Sequence, residues 1–194
     1  MSRELAGYVW WTFVALWGVI RLPHVLHART EPIRATQRDL RDRIARSAAV
    51  FGLGIIPGAY TIIHFPMAAD RAHLPVLAWA GACLLAISLW LFYRTHHDLG
   101  RRFSASLEIR REHTLVTTGI YARVRHPMYT AFWLWAVGQA LVLPNWFVAL
   151  AGVLGMAYLF AARVGREERL MEREFGDQYR TYMARTARLL PGIY

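Results

Sequence analysis

Hydrophobic and polar positions fall in long blocks along this chain, not in the fine rhythm of a soluble amphipathic protein. Four stretches contain no Asp, Glu, Lys or Arg: Leu5–Ile20 (16 residues), Ser47–Ala69 (23), Ala72–Tyr93 (22) and His126–Ala162 (37). A bilayer core takes roughly 20 helical residues, with about 17–25 as the working range. The second and third stretches therefore predict one crossing each. The first is short, and Arg21 at its end extends it by reaching to the headgroups. The fourth is too long for one crossing and is split by Leu143-Pro144-Asn145 into two 17-residue arms, His126–Val142 and Trp146–Ala162. Proline cannot continue the first arm, so the pair reads as a helical hairpin with a tight turn. The expected fold class is all-α and integral to a membrane, with about five transmembrane helices. A soluble bundle would need polar helix faces, and Ala78–Leu91 and Trp146–Phe160 have hardly any. The opening run has only Arg3, offset by Glu4, before it and no small-residue cleavage pattern after it. It is expected to be a retained anchor, not a cleaved leader.

Charge gives these helices a direction. The 23 basic residues are all Arg, against 13 acids, for a net charge of +10. Segments 21–46 and 94–125 each hold seven Arg against three acids, and 163–194 holds seven against five. Arg3 with Glu4, and Asp70 with Arg71, each sum to zero, so 21 of 23 Arg fall on one side. The positive-inside bias then predicts the N-terminus outside, with both long connections and the C-terminus in the cytoplasm. That alternation requires an odd number of crossings. It also accounts for most of the charge without nucleic acid, for which no binding module is visible. A chain that is 56% hydrophobic with 8 Trp, 9 Tyr and 9 Phe is not disordered. The single Cys83 excludes a disulfide framework or a cysteine metal site.

The whole chain, 1–194, reads as a single domain: 1–93 carries the first three crossings, and 94–194 the richest connection, the hairpin and the tail. In the first connection Leu22–Arg46, which begins with Pro23, the stretch Ala35–Ala45 predicts a short basic helix lying on the anionic inner leaflet. Pro66–Pro75 is a short outer connection. The last crossing is expected to continue to about Phe175, where Gly176 offers a stop. A second short helix, Asp177–Arg188, follows. His24, His27, His96 and His97 fall at membrane borders as polar anchors. His64 sits in an apolar run and is expected to hydrogen-bond within the bundle. No metal site is expected, because the histidine spacings do not converge with carboxylates or cysteine. Glycine-rich nucleotide loops and the Gly-x-Ser-x-Gly elbow are absent from the sequence.

Two clusters carry candidate chemistry, both on the inner side. The first runs from His113-Thr114-Leu115-Val116-Thr117-Thr118-Gly119-Ile120-Tyr121 into Arg123-Val124-Arg125-His126-Pro127-Met128-Tyr129. Pro127 suits the first turn of a helix, whose free N–H groups are able to hold an anion. Tyr121 and Tyr129 offer flat faces for a purine or a sulfonium. An interfacial aromatic belt with a basic flank fits the same residues. The second cluster is Arg163, Arg166, Glu167 and Glu168. Arg163 and Glu167 are four apart and share a helix face. They form either an ordinary surface pair or a site where Arg163 receives a carboxylate bidentately while Glu167 takes an ammonium or ribose hydroxyls.

Together these residues resemble the C-terminal half of the isoprenylcysteine carboxyl methyltransferase family. The shared features are Leu-Val-Thr-Thr-Gly-Ile-Tyr ending at Tyr121, Arg-His-Pro-Met-Tyr ending at Tyr129, the apolar hairpin, and Arg163 to Glu168. Phe175-Gly176-Asp177-Gln178-Tyr179 and the closing Leu190-Pro191-Gly192-Ile193-Tyr194 complete the series. Arg-His-Pro-x-Tyr alone is also similar to membrane phospholipid amine methyltransferases and sterol reductases; hairpin, Arg/Glu-Glu and tail make the stronger signal. In the first half of the chain the likeness is one of hydropathy alone. The resemblance implies an S-adenosylmethionine-dependent methyltransferase whose site opens to the cytoplasm and laterally to lipid. It assigns the cofactor to His113, Thr114, Leu115, Val116, Tyr121, His126, Pro127, Met128, Tyr129 and Glu167. It matches Arg163 to the arginine that faces the substrate carboxylate. Two positions depart from the pattern: Ala131 stands where the family usually has Gly, and Ser106 where a Gln is frequent.

The implied reaction suits the residues. Transfer from a sulfonium to a carboxylate is an in-line displacement onto an acceptor already ionised at neutral pH, so no general base is needed. The expected substrate is a lipophilic carboxylate, such as a prenylated cysteine, entering from the bilayer. Methylation of an amine or phospholipid headgroup, or NADPH-dependent sterol reduction, are the alternative readings.

Overall fold

A computed structural model describes residues 1–30, 33–36, 39–99, 108–110 and 115–192, with side chains for 1–26, 39–99 and 115–192. The first helix, α1 (Arg3–Thr30), passes through Pro23 without a break. The sequence reading ended it near Leu22. One lost backbone hydrogen bond is tolerated in a long apolar helix whose neighbours remain helical, so the helix overruns its apolar block.

The second crossing differs more. β1 (Ile33–Thr36) is followed by α2 (Leu40–Val50), a π-helical turn at Phe51–Ile55 and α3 (Ile56–Ile63). Leu40–Ile63 is thus one continuous helical segment. The separate surface helix expected over Ala35–Ala45 does not form: Asp42, Ala45 and Ala49 are buried against the bundle. Asp39 caps α2, its carboxylate accepting from the Asp42 N–H at 2.8 Å. In the π turn the Gly52 carbonyl accepts from Gln139 Nε2 at 2.8 Å, an apolar-core amide meeting a backbone group. The segment ends at His64, whose φ of 52° is left-handed and whose side chain is exposed. His64 is therefore a helix terminus, not the internal bundle partner the sequence suggested.

The remaining helices are α4 (Pro75–Leu99), α5 (Pro127–Val142), α6 (Trp146–Phe175) and α7 (Asp177–Arg185). α5 and α6 form the expected hairpin about Leu143-Pro144-Asn145. Asn145 caps α6 by accepting from the Val148 N–H at 3.1 Å and donates to the Pro66 carbonyl and Asp70 Oδ1 at 2.8 Å each. At this same end Arg3 meets Asp70 at 2.8 Å and the Tyr60 hydroxyl donates to Asp70 at 2.8 Å. The N-terminus, the 64–74 connection and the hairpin turn thus share one end of the bundle. At the other end β1 pairs antiparallel with β2 (Glu108–Arg110), joining the two arginine-rich connections. α7 stops three residues short of the expected Arg188, because the chain after it pairs instead with residues entering α5, Arg125 N–H donating to the Ala187 carbonyl at 2.9 Å.

Close helix contact rests on small residues. A Cβ added to Gly81 of α4 would lie 2.6 Å from the Gly138 carbonyl of α5, and one on Gly155 of α6 would lie 2.6 Å from the Ala48 carbonyl of α2. Ala131 is fully buried in the α4–α5 contact, where its carbonyl accepts from Ser88 Oγ at 2.6 Å. Trp10, Leu85, Val142, Leu143 and Val148 fill the interior, while Trp79, Trp90, Leu150 and Leu154 point outward. His96 is fully buried, its ring 4.8 Å from that of His24, so it is a core residue and not a border anchor. Among the described residues, Arg3–Leu26, Leu40–Ile63, Pro75–Leu99 and Trp146–Phe175 are long and apolar enough to cross a membrane. The chain is an integral membrane protein. α5 has 16 residues; at 1.5 Å per residue it rises about 24 Å, short of a typical core, yet it runs from one end of the bundle to the other.

Candidate active site

The site forms where α6 leaves the apolar block. Four-residue spacing places Arg163 and Glu167 on one face, and Arg163 Nη2 lies 3.1 Å from Glu167 Oε1. This is no surface pair: Arg163 is 8% exposed. Its Nε lies 3.3 Å from Oδ1 of Asp42, a fully buried carboxylate whose other oxygen is 2.9 Å from Arg46 Nη2. From α5 the Tyr129 hydroxyl donates to Glu167 Oε1 at 2.8 Å, and His126 Nδ1 lies 3.7 Å from Oε2. Glu167 thus gathers three groups from two helices. Tyr129 also stands edge-on to Phe160, with ring centroids 5.4 Å apart.

Tyr121 reaches this cluster from a 3-10 turn, Gly119–Ala122. Gly119 has φ +61°, and a Cβ there would overlap the Asp98 carboxylate, which accepts from the Ile120 N–H at 2.8 Å. Glycine is required on both counts. Burial pushes the Tyr121 phenol well up, and the nearby Tyr182 phenol and Glu167 carboxylate add to that. The Tyr182 hydroxyl donates to the Tyr121 carbonyl at 2.6 Å, and burial pushes the Tyr182 phenol up to about 12. Both tyrosines are therefore neutral donors at physiological pH.

Beneath the cluster, Glu168 binds the tail. Its Oε2 accepts from Arg188 Nη2 at 2.7 Å, and its Oε1 accepts from Arg125 Nε at 3.2 Å and lies 3.3 Å from His126 Nε2. Arg125 Nη1 also donates to the Met183 carbonyl at 3.0 Å and to the Thr186 carbonyl. The His126 N–H donates to the Arg188 carbonyl at 3.1 Å, and Thr130 Oγ1 to the Leu189 carbonyl at 2.9 Å.

Of the residues singled out in the sequence, Tyr121, His126, Tyr129, Arg163 and Glu167 come together. Pro127 opens α5 and is buried; Met128 follows, half-buried. Leu115 and Val116 are half-buried on the irregular lead into the 3-10 turn. His113, Thr114 and Ser106 lie outside the described residues. Sequence reasoning missed Asp42, Arg46 and Arg188, and it gave Arg125 and Glu168, which it placed in the two clusters, no part in holding the tail. Asp42 had one legible signal: with Asp39 it makes an acidic i, i+3 pair inside a segment dominated by arginine.

Residues 79–173, from within α4 to the end region of α6, match the model of the isoprenylcysteine carboxyl methyltransferase (ICMT) family. The match takes in just under half of the chain. Similar proteins include protein-S-isoprenylcysteine O-methyltransferase B of Arabidopsis thaliana, 39% identical over 96 residues that make up 48% of this chain and 49% of the relative. The protein-S-isoprenylcysteine O-methyltransferase of Schizosaccharomyces pombe is 38% identical over 96 residues, 48% of this chain and 41% of that one. The Homo sapiens enzyme is 36% identical over 81 residues, 42% of this chain and 28% of its own. The chain spans about half, or less, of the length of these relatives. A solved structure of a eukaryotic intramembrane Ras methyltransferase, an ICMT, superposes over 100% of this chain and 69% of its own, with a TM-score of 0.63 at 22% identity. Fold likeness therefore extends through α1 to α3, where the sequence shared only hydropathy. The ICMT match takes in Tyr121, His126, Tyr129, Arg163, Glu167 and Glu168 but begins after Asp42.

Proposed function

We propose that the chain, acting as one domain over 1–194, transfers a methyl group from S-adenosylmethionine to the carboxylate of a lipophilic substrate of the prenylated-cysteine type. The observation that carries this reading is the pairing of the buried Arg163 with the half-buried Glu167, joined by Tyr129 and His126 of the hairpin. The donor set fits a sulfonium cofactor: an accessible carboxylate, Glu167 at 23% side-chain exposure, stands among the rings of His126 and Tyr129, whose centroids are 5.7 Å apart. A cation favours such aromatic faces beside an anion.

When bound, S-adenosylmethionine supplies an electrophilic methyl group on sulfur. Tyr121, His126, Pro127, Met128, Tyr129 and Glu167, with Leu115 and Val116 on the approach and His113 and Thr114 before them, hold it. Arg163 receives the substrate carboxylate and orients one oxygen as nucleophile. No group on the protein has to remove a proton, because that oxygen is ionised already. The chain's contribution is orientation and exclusion of water, an effect that reaches on the order of 7–11 kcal/mol in favourable cases.

The same reading places the site on the cytoplasmic side, with five crossings and the N-terminus outside, so that a lipid tail enters from the bilayer and the cofactor from water. The test is labelled-methyl transfer to a farnesylated cysteine analogue by wild type, Arg163→Ala and Glu167→Ala. Wild-type transfer, lost in Arg163→Ala with cofactor binding intact, supports the assignment. Absence of transfer to any lipophilic carboxylate removes it, and amine methylation insensitive to Arg163→Ala would place the acceptor chemistry elsewhere.

A further inference from the structure

α2 and α6 lie antiparallel and stay in register over several turns. Asp39 meets Arg166 at 3.0 Å, Asp42 meets Arg163, Ala48 faces Gly155, and Gly52 faces Ala151 and Gly152. The small residues let the two backbones touch, and that approach carries the Asp42 carboxylate into a fully buried position against the guanidinium. Neither Asp42 oxygen makes a well-aligned hydrogen bond; both are held by charge, Oδ1 by Arg163 and Oδ2 by Arg46. A carboxylate taken wholly out of solvent is costly unless its partners are fixed. A position needed only for helix contact would carry an apolar side chain, as Ala45 and Ala49 do on the same face.

The guanidinium of Arg163 is therefore held at two of its nitrogens by carboxylates from different helices, Nε by Asp42 and Nη2 by Glu167. Arg21 of α1 lies within electrostatic range of the same group. We infer that Asp42, a residue outside the ICMT match, is a positioning residue that fixes the plane of the Arg163 guanidinium toward the substrate carboxylate, an inference resting on the role proposed for Arg163. Without Asp42, Arg163 keeps its charge and still attracts a carboxylate, but it is held only at Nη2 by Glu167 and its plane turns about that contact. In-line displacement depends on alignment of the reacting atoms. The loss then falls on turnover and not on capture.

The experiment compares wild type, Asp42→Asn, Arg46→Gln and Asp39→Asn in nanodiscs, measuring methyl transfer to a farnesylated cysteine analogue, S-adenosylmethionine affinity and thermal unfolding. For Asp42→Asn, kcat is expected to fall by about tenfold or more, with KM for the carboxylate unchanged or lower and cofactor affinity retained. Arg46→Gln loosens Asp42 from its far side and gives a smaller fall of the same kind; this variant decides the matter if Asp42→Asn does not fold. Asp39→Asn breaks only the neighbouring exposed pair and leaves kcat unchanged. The inference is overturned by unchanged kcat in Asp42→Asn and Arg46→Gln, by a rise in KM alone, or by parallel loss of cofactor affinity and thermal stability. A wild type with no transfer to any lipophilic carboxylate overturns the proposed function and this inference together. A wild type that transfers, matched by Asp42→Asn, overturns the inference alone.

Discussion

Tyr129 on α5 and Glu167 on α6 share a 2.8 Å hydrogen bond to the carboxylate oxygen that Arg163 also reaches. The hairpin is closed at this point by chemistry and not by packing alone. A hydrogen bond to a charged group contributes about 1.5–3 kcal/mol. Tyr129→Phe keeps the ring against Phe160 and removes only that bond. Affinity for S-adenosylmethionine, measured by calorimetry, is expected to fall about tenfold, the equivalent of about 1.4 kcal/mol. The thermal midpoint should fall by several degrees as well, because the same bond joins α5 to α6. Unchanged affinity would remove Tyr129 and Glu167 from the cofactor site.

Glu168 faces the other way and ties the tail to the hairpin. Its carboxylate serves Arg125, Arg188 and His126 and is 7% exposed. Removing one member of a buried ion cluster costs about 3–5 kcal/mol, because the remaining charges lose their partner. Glu168→Ala should therefore lower the thermal midpoint in detergent and expose the Arg185–Arg188 region to trypsin. Arg188→Ala, which leaves Arg125 and His126 on the carboxylate, should do so less. Equal trypsin resistance in Glu168→Ala and wild type would show that the tail is held by its backbone pairing with Arg125 and His126 instead.

Much of this was written in the chain. The hairpin turn at Leu143-Pro144-Asn145 was legible because proline cannot extend a helix and asparagine caps the next one, as Asn145 does. Arg163 and Glu167 were legible because four-residue spacing on a helix is a contact in itself. Asp42 showed only its spacing from Asp39, because its partner lies 121 positions away on another helix, and no local pattern encodes that register. The same blindness produced the expected surface helix over Ala35–Ala45. Its charges looked solvated, whereas Asp39 and Asp42 answer arginines on α6. Pro23 and His64 misled for a simpler reason: each is a local signal that the surrounding helix outweighs or merely ends upon. The tail's grip on Glu168 depends on two arginines and His126 from two regions and had no sequence spacing to reveal it.

Two glycines in the π turn separate close packing from helix propensity. A Cβ at Gly52 would overlap the Ala151 carbonyl of α6, whereas at Gly54 it meets nothing within 4 Å. Gly52→Ala forces the backbones apart, a kind of overpacking that costs about 1–3 kcal/mol. Gly54→Ala removes helical glycine at an open site and should stabilise by up to about 1 kcal/mol. Thermal unfolding of the two variants should therefore move in opposite directions. Because Gly52 also sets the depth at which Asp42 meets Arg163, Gly52→Ala should lower turnover as well.

At the opposite end, Asp70 gives the fold a pH dependence. Desolvation raises its carboxyl, but hydrogen bonds from Asn145 and Tyr60 and the charge of Arg3 outweigh that and hold it below the ordinary aspartate value of 3.8. A carboxyl lowered in the folded state stabilises the fold fully above its unfolded value, near 3.9. That contribution is lost as pH falls through the lower folded value. Between pH 5 and 7 the Asp70 contribution is constant and should not tilt the thermal midpoint. Below about pH 4, wild type should lose stability while Asp70→Asn, which has no proton to take up there, should be flatter. The difference between their midpoints, read in detergent from pH 6 down to pH 3, should shrink toward the acid end. A constant difference across that range would mean that Asp70 acts through its shape and hydrogen bonds and not through its charge.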